Sequence, residues 1–208
     1  SPNDPSIWRR DPNSKGSWRS RFGSEPISFK TLCYSISGRL EDRTFLKIVT
    51  AKEMKSLEDS CLKHGITYDD LMEKAGHAIA ETARDLVGTV VGTRILILIG
   101  PGNNGADGLV AARYLAEWGG IVTGYTVTPR LQHDHRLQLA QQYGMLLIGS
   151  RSATGLKKLN QELDRSHLII DAVLGTGNSR PLSGLIETVL SRLSDVSCPV
   201  LSVDLPTG

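Results

Sequence analysis

RILILIGPGNNGADG, residues 94–108, opens with an unbroken aliphatic run, Ile95 to Ile99, and passes into a loop that holds Gly100, Gly102, Gly105 and Gly108. An aliphatic run of strand length with no polar alternation is what a strand buried on both faces requires. Glycines directly after it permit backbone geometries and close approaches that a Cβ would block. Where such a loop enters a helix its amides face an anion. Residues 100–108 are therefore a candidate phosphate or pyrophosphate cradle, to which Asn103, Asn104 and Asp107 add polar groups of more selective geometry. A generic tight turn is the alternative.

The same unit recurs along the chain. Upstream, Thr50-Ala-Lys-Glu53 is a capping-box signature for a helix with an apolar face of Met54, Leu57, Cys61 and Leu62. Thr67 and Asp70 open a second helix, with Leu71, Ala75, Ala78, Ile79, Thr82 and Leu86 on one face and Gly88 as its stop. Downstream, the pattern predicts a helix from about Asp107 to Trp118, a strand at 121–127, a helix around 133–143 and a strand at 145–148. It continues with a helix near 154–164, a strand at 168–174, a helix near 184–195 and a strand at 199–204. Buried strands alternating with helices predict an α/β fold: a Rossmann-like three-layer α/β/α arrangement on a mostly parallel sheet, over residues 45–208. Residues 1–44, punctuated by Pro2, Pro5, Pro12, Gly16, Gly23 and Pro26, read as an irregular tail, with an organelle transit peptide as an alternative.

Bulk properties exclude several classes of function. Net charge is +2, with eight Lys/Arg against five Asp/Glu in residues 1–44 and a slightly acidic remainder, so no nucleic-acid-binding face is expected. No apolar run approaches the roughly 18–20 residues of a membrane helix, which argues against a membrane role. The three cysteines, Cys33, Cys61 and Cys198, are widely separated and lack zinc-ligand spacing, which fits a reducing, cytoplasmic setting. The five histidines are scattered and support no mechanism of their own.

In an open parallel sheet, ligands bind beyond the carboxyl ends of the strands. Two further loops stand there. DAVLGTGNSRPLSG (171–184) repeats the glycine theme and carries Asp171 inside an apolar run, either as a cap for loop amides or as a ligand for a cation or substrate. VDLPTG (203–208) ends a strand with Asp204, suited to acid/base catalysis or to organising the turn that follows. Three oxygen-bearing strand ends side by side can form a hard-cation pocket next to a phosphate cradle.

KIVTAKEM (47–54), LMEKAGHAIAE (71–81), GPGNNGADGLVAARYL (100–115), DAVLGTG (171–177), SRPLSG (179–184) and VDLPTG (203–208) are similar, in order and spacing, to the motifs of the YjeF N-terminal domain. That resemblance implies an NAD(P)H-hydrate epimerase, an isomerase that interconverts the R and S hydrates of damaged NADH and NADPH in metabolite repair. It implies that Asn103, Asn104, Gly105, Ala106 and Asp107, together with Gly175, Thr176, Gly177, Asn178 and Ser179, contact the hydrated dinucleotide. Asn104, Asp171 and Thr207 would bind a potassium ion, and Asp204 would sit against the nicotinamide ring as the acid/base. The implied partners are the small-molecule substrate, a second copy of the chain in a homodimer, and a dehydratase domain or protein. Ala106 stands where the family usually has glycine, and strain is expected if that residue needs positive φ. Family domains continue past the VDLPTG loop, so the domain is expected to be cut short at its C-terminal end.

Two other readings accompany this one. The same domain also serves as a non-catalytic ligand-binding and dimerisation module in mRNA-decapping scaffold proteins, against which Asn104, Asp107, Asp171 and Asp204 weigh. The chain is otherwise the amino-terminal part of a bifunctional epimerase/dehydratase. A dehydrogenase fits less well, because about 20 residues beyond the glycine loop, where ribose recognition calls for a strand-final acid, the chain offers Tyr125, Thr126 and Thr128.

Overall fold

The computed structural model describes residues 8–10, 18–20, 51–129, 134–149, 154–175 and 181–207. Within 1–44, expected to be irregular, β1 (Trp8–Arg10) pairs antiparallel with β2 (Trp18–Ser20). Each strand begins on a tryptophan, a strand former. Thr50, expected to cap the first helix, lies outside the described residues. That helix is α1 (Ala51–Lys63), and Leu57 on its expected apolar face is 53% exposed.

The regular part runs α2 (Tyr68–Val87), β3 (Arg94–Ile99), α3 (Asn103–Glu117), β4 (Ile121–Thr126), α4 (His135–Gln142) and β5 (Leu146–Gly149). It continues with α5 (Gly155–Arg165), β6 (Leu168–Ala172), α6 (Gly184–Ser191), a 3-10 turn over Arg192–Asp195 and β7 (Val200–Ser202). α2 starts as expected: the Thr67 hydroxyl accepts from the Asp70 amide and the Asp70 carboxylate accepts from the Thr67 amide, while Gly88, at φ 76°, caps the far end.

The five strands β3–β7 form one parallel sheet in the order β5-β4-β3-β6-β7. Alternate side chains divide it into two cores. Ile95, Ile97, Ile99, Leu168 and Ile170 pack with Ala80 and Ala83 of α2, Leu109 and Leu115 of α3, and Leu137 and Ala140 of α4. On the other face Leu96, Leu98, Tyr125 and Ile169 pack with Leu159 and Leu163 of α5 and Val189 and Leu190 of α6. The architecture is the expected three-layer, Rossmann-like one, because strands buried on both sides need a helix layer on each.

Two local expectations are corrected. The buried stripe of α2 is Gly76, Ala80 and Ala83, whereas Thr82 is exposed and Leu86 is 50% exposed. Closeness rather than apolar mass chooses this face: a Cβ on Gly76 would lie 2.4 Å from Val110 Cβ, so only small residues let α2 approach α3. In addition, α3 begins at Asn103 instead of Asp107, the Ala106 amide already donating to the Gly102 carbonyl at 3.2 Å. Gly108 is thus a helix residue, and its missing Cβ, which would fall 2.6 Å from Ala172 Cβ, lets α3 lie against β6.

Candidate active site

The strand order reverses between β3 and β6, and in such sheets the crevice beyond the carboxyl ends of those two strands is where ligands bind. The two exits are drawn together there. Gly100 donates to the Ala172 carbonyl at 3.0 Å, and a Cβ on Gly100 would fall 1.8 Å from the Val173 carbonyl oxygen, so only glycine fits. The amides of Asn103, Asn104 and Gly105 precede the first intrahelical bond of α3 and head the crevice.

Asn104 is buried, and its Nδ2 donates to the Val203 carbonyl at 3.0 Å, which orients the amide. A Cβ built on Gly175 would lie 2.8 Å from Asn104 Oδ1 and 2.5 Å from Asp204 Oδ2. An amide oxygen from α3 and a carboxylate oxygen from the loop after β7 therefore converge on the backbone just beyond β6. Asp204 has φ 61°, the left-handed region that a non-glycine residue enters at a cost. Around it the Leu205 amide donates to the Val203 carbonyl at 2.8 Å, and the Val203 amide to the Asp171 carbonyl at 2.9 Å.

Asp171, 2% exposed, ties two of these loops together. Its Oδ1 accepts from the Val173 amide at 3.2 Å and the Thr207 hydroxyl at 2.9 Å, and its Oδ2 accepts from the Thr207 amide at 2.9 Å. Burial pushes its pKa up, and these bonds pull it back. Of the two roles the sequence leaves open, the capping of loop amides is present in the structure. Asp107 lies three residues along α3 from Asn104, on the same helical face. Burial first, and the Asp204 carboxylate second, push its pKa up to about 7, while Arg136 opposes the rise.

The motif set of the YjeF-related protein N-terminus spans residues 68–208 of this sequence. The chain belongs to that family. Among YjeF N-terminal relatives, an NAD(P)H-hydrate epimerase of Rhodobacter capsulatus is 35% identical over 170 residues, covering 78% of this chain and 77% of the relative. A bifunctional NAD(P)H-hydrate repair enzyme Nnr of Thermofilum pendens is 32% identical over 170 residues, covering 78% of this chain. The chain spans about a third of that relative's length, 32%. The crystal structure of yeast ynu0 matches with a TM-score of 0.66 and 27% identity, over 78% of this chain and 72% of the yeast chain.

Within this YjeF N-terminal fold, Asn104, Gly175 and Asp204 meet, Asp107 senses Asp204, and Asp171 bonds Thr207. Gly105 is buried and Asn103 exposed in the first turn of α3. Ala106 is 5% exposed inside the helix and does not have the positive φ that would strain it, because α3 starts before it. Thr176, Gly177, Asn178 and Ser179 lie outside the described residues. Two participants were not anticipated. The Val203 carbonyl carries no side-chain signal at all, and Arg136 shows only as a basic residue where helices usually carry acids, at the start of α4 behind the Asp134 cap. Among the described residues no helix is long and apolar enough to cross a membrane.

Proposed function

We propose that this chain is the epimerase unit of nicotinamide-nucleotide repair, interconverting the R and S hydrates of NADH and NADPH. The observation that carries the reading is the meeting of Asp204 Oδ2 and Asn104 Oδ1 over Gly175, beside the amides at the head of α3. The family relatives named NAD(P)H-hydrate epimerase support it.

The hydrate carries a hydroxyl on C6 of the nicotinamide ring, and inverting that carbon requires the C–O bond to break and re-form from the other side. Asp204 delivers a proton as the hydroxyl departs as water, and the ring nitrogen lone pair stabilises the cation left behind. Water then adds to the opposite face and surrenders a proton, so acid and base are restored. Asp107, poised near 7, keeps a second exchangeable carboxyl within electrostatic reach. The α3 amides receive the pyrophosphate. Asn104, Asp171 and Thr207 offer amide, carboxylate and hydroxyl oxygens, a donor set that suits a hard monovalent cation. Bound there, potassium would supply positive charge beside an otherwise acidic rim.

The same reading gives the chain a dehydratase as its working partner, in the same polypeptide or separate, a homodimeric assembly, and a cytoplasmic setting. Cys61 and Cys198, both free thiols, suit a reducing compartment. The test is to supply purified R hydrate together with a dehydratase specific for the S form, with and without potassium. Consumption of the R hydrate well above the spontaneous rate is expected; a rate equal to the spontaneous one removes the proposal.

A further inference from the structure

β4 leaves the sheet directly beside β3, and the Val127 amide donates to the Ile99 carbonyl at 3.1 Å as it does so. In doubly wound sheets the strand next to the glycine-loop strand ends where the adenosine ribose comes to rest. An acid there selects a free 2′-hydroxyl, whereas a neutral end with an arginine nearby accommodates a 2′-phosphate. Here the end reads Thr126-Val127-Thr128, with no acid. Thr128 Oγ1 is shielded from solvent and has no hydrogen-bond partner among the described residues. A buried hydroxyl left in that condition costs free energy, and a ligand oxygen is one remedy.

The arginine is also present. Arg136 stands in the first turn of α4, the helix that follows β4, and its guanidinium is bonded to Asp69 in the first turn of α2. Its charge is felt by Asp107 on α3. The guanidinium therefore lies where the starts of α2, α3 and α4 come together, on the side of the crevice onto which β4 opens. The charged groups that face it are Asp69, by an ion pair, and Asp107, while Asp134 holds its backbone amide; among the described residues Arg136 supplies the positive charge that a phosphate requires. Asp69 is 83% exposed, and an ion pair this open to water yields readily to a doubly charged phosphate.

We propose that Thr128 and Arg136 form a subsite for the adenosine 2′-phosphate, so that this chain prefers the hydrate of NADPH to that of NADH. The proposal rests on the epimerase reading for its substrate but not for its binding chemistry, and two measurements separate the two. By calorimetry, adenosine 2′,5′-bisphosphate is expected to bind about tenfold more tightly than 5′-AMP, and Arg136→Gln and Thr128→Asp to erase the difference. In the coupled assay the kcat/KM ratio of NADPH hydrate to NADH hydrate is expected to be about ten, and to fall by about tenfold in each variant, chiefly through KM.

Equal affinity for the two nucleotides, or losses falling equally on both hydrates, would overturn the subsite. The second pattern is what Arg136 would produce if it acted only through Asp107. Preferential binding of the bisphosphate without turnover of either hydrate would leave the subsite standing and remove the epimerase reading.

Discussion

Substituting Gly175 by alanine should disable the site while the fold survives. The new Cβ would stand 2.5 Å from Asp204 Oδ2, 2.8 Å from Asn104 Oδ1 and 3.1 Å from Asn104 Cγ, whereas real Cβ atoms essentially never come within 3.0 Å of such neighbours. The Asp204 oxygen must retreat by at least about 0.5 Å, and by roughly 1 Å to reach ordinary contact. Neither neighbour moves freely, since Asn104 is pinned to the Val203 carbonyl at 3.0 Å and Asp204 already occupies φ 61°. A displacement of about 1 Å at a reacting group costs on the order of 100-fold in rate. Gly175 itself is outside the positive-φ region, so alanine fits its backbone, and the overpacking cost of about 1–3 kcal/mol is partly offset by lower unfolded-state entropy. The assay is kcat/KM for R-hydrate consumption, with thermal unfolding measured alongside. A variant that epimerises at the wild-type rate would refute the reasoning, because the two oxygens would then not be held over this residue.

Asp204→Asn should lower kcat by about 10²–10⁴-fold without loss of Tm, because asparagine tolerates the left-handed backbone at least as well as aspartate; an unchanged kcat would remove Asp204 from proton transfer. Asp107 carries a raised pKa of about 7, so between its ordinary value and 7 the folded state binds more protons than the unfolded state and stability falls as pH rises. Asp107→Asn should accordingly match the wild type near pH 4 and exceed it by about 1–3 kcal/mol above pH 7, read from urea unfolding at several pH values; a constant difference across that range would contradict the assignment. Gly100→Ala would press a Cβ onto the Val173 carbonyl and should destabilise by several kcal/mol, visible as a large drop in Tm or loss of soluble expression. Thr67→Ala removes the reciprocal cap of α2 and should cost about 1 kcal/mol, read from urea unfolding; an unchanged unfolding midpoint would show that the cap contributes nothing to stability.

Much of the fold is local information. The Ile95–Ile99 run, the Thr67/Asp70 box and the alternation from 94 onward are legible in one dimension, because burial on both faces and helix capping act over a few residues. The three strand-end loops are legible for the same reason: a chain can only turn, cap or bind after its buried run ends. Helix faces are less so. Residues 76, 80 and 83 of α2 are buried because Val110 of α3 needs room for close approach, a demand that a neighbour makes and that hydrophobic spacing within α2 does not record. Likewise the close approach of α3 to the sheet depends on Gly108 finding Ala172, a residue of β6, the third strand after α3.

By itself, then, the chain's order of residues determines that there is a parallel sheet between two helix layers and that Asn104, Asp171, Gly175 and Asp204 each stand at a strand exit. Tertiary structure alone decides that Asn104, Gly175 and Asp204 meet and that Asp171 finds Thr207. Asn104 reaches a carbonyl 99 residues away because the crossover after β5 returns the chain to the far side of β3, setting β6 and β7 beside it. The tightness of that meeting, with no room for a single methyl group at Gly175, follows from how closely α3 and β6 pack, and close packing is a property of surfaces that the linear order brings together only after folding.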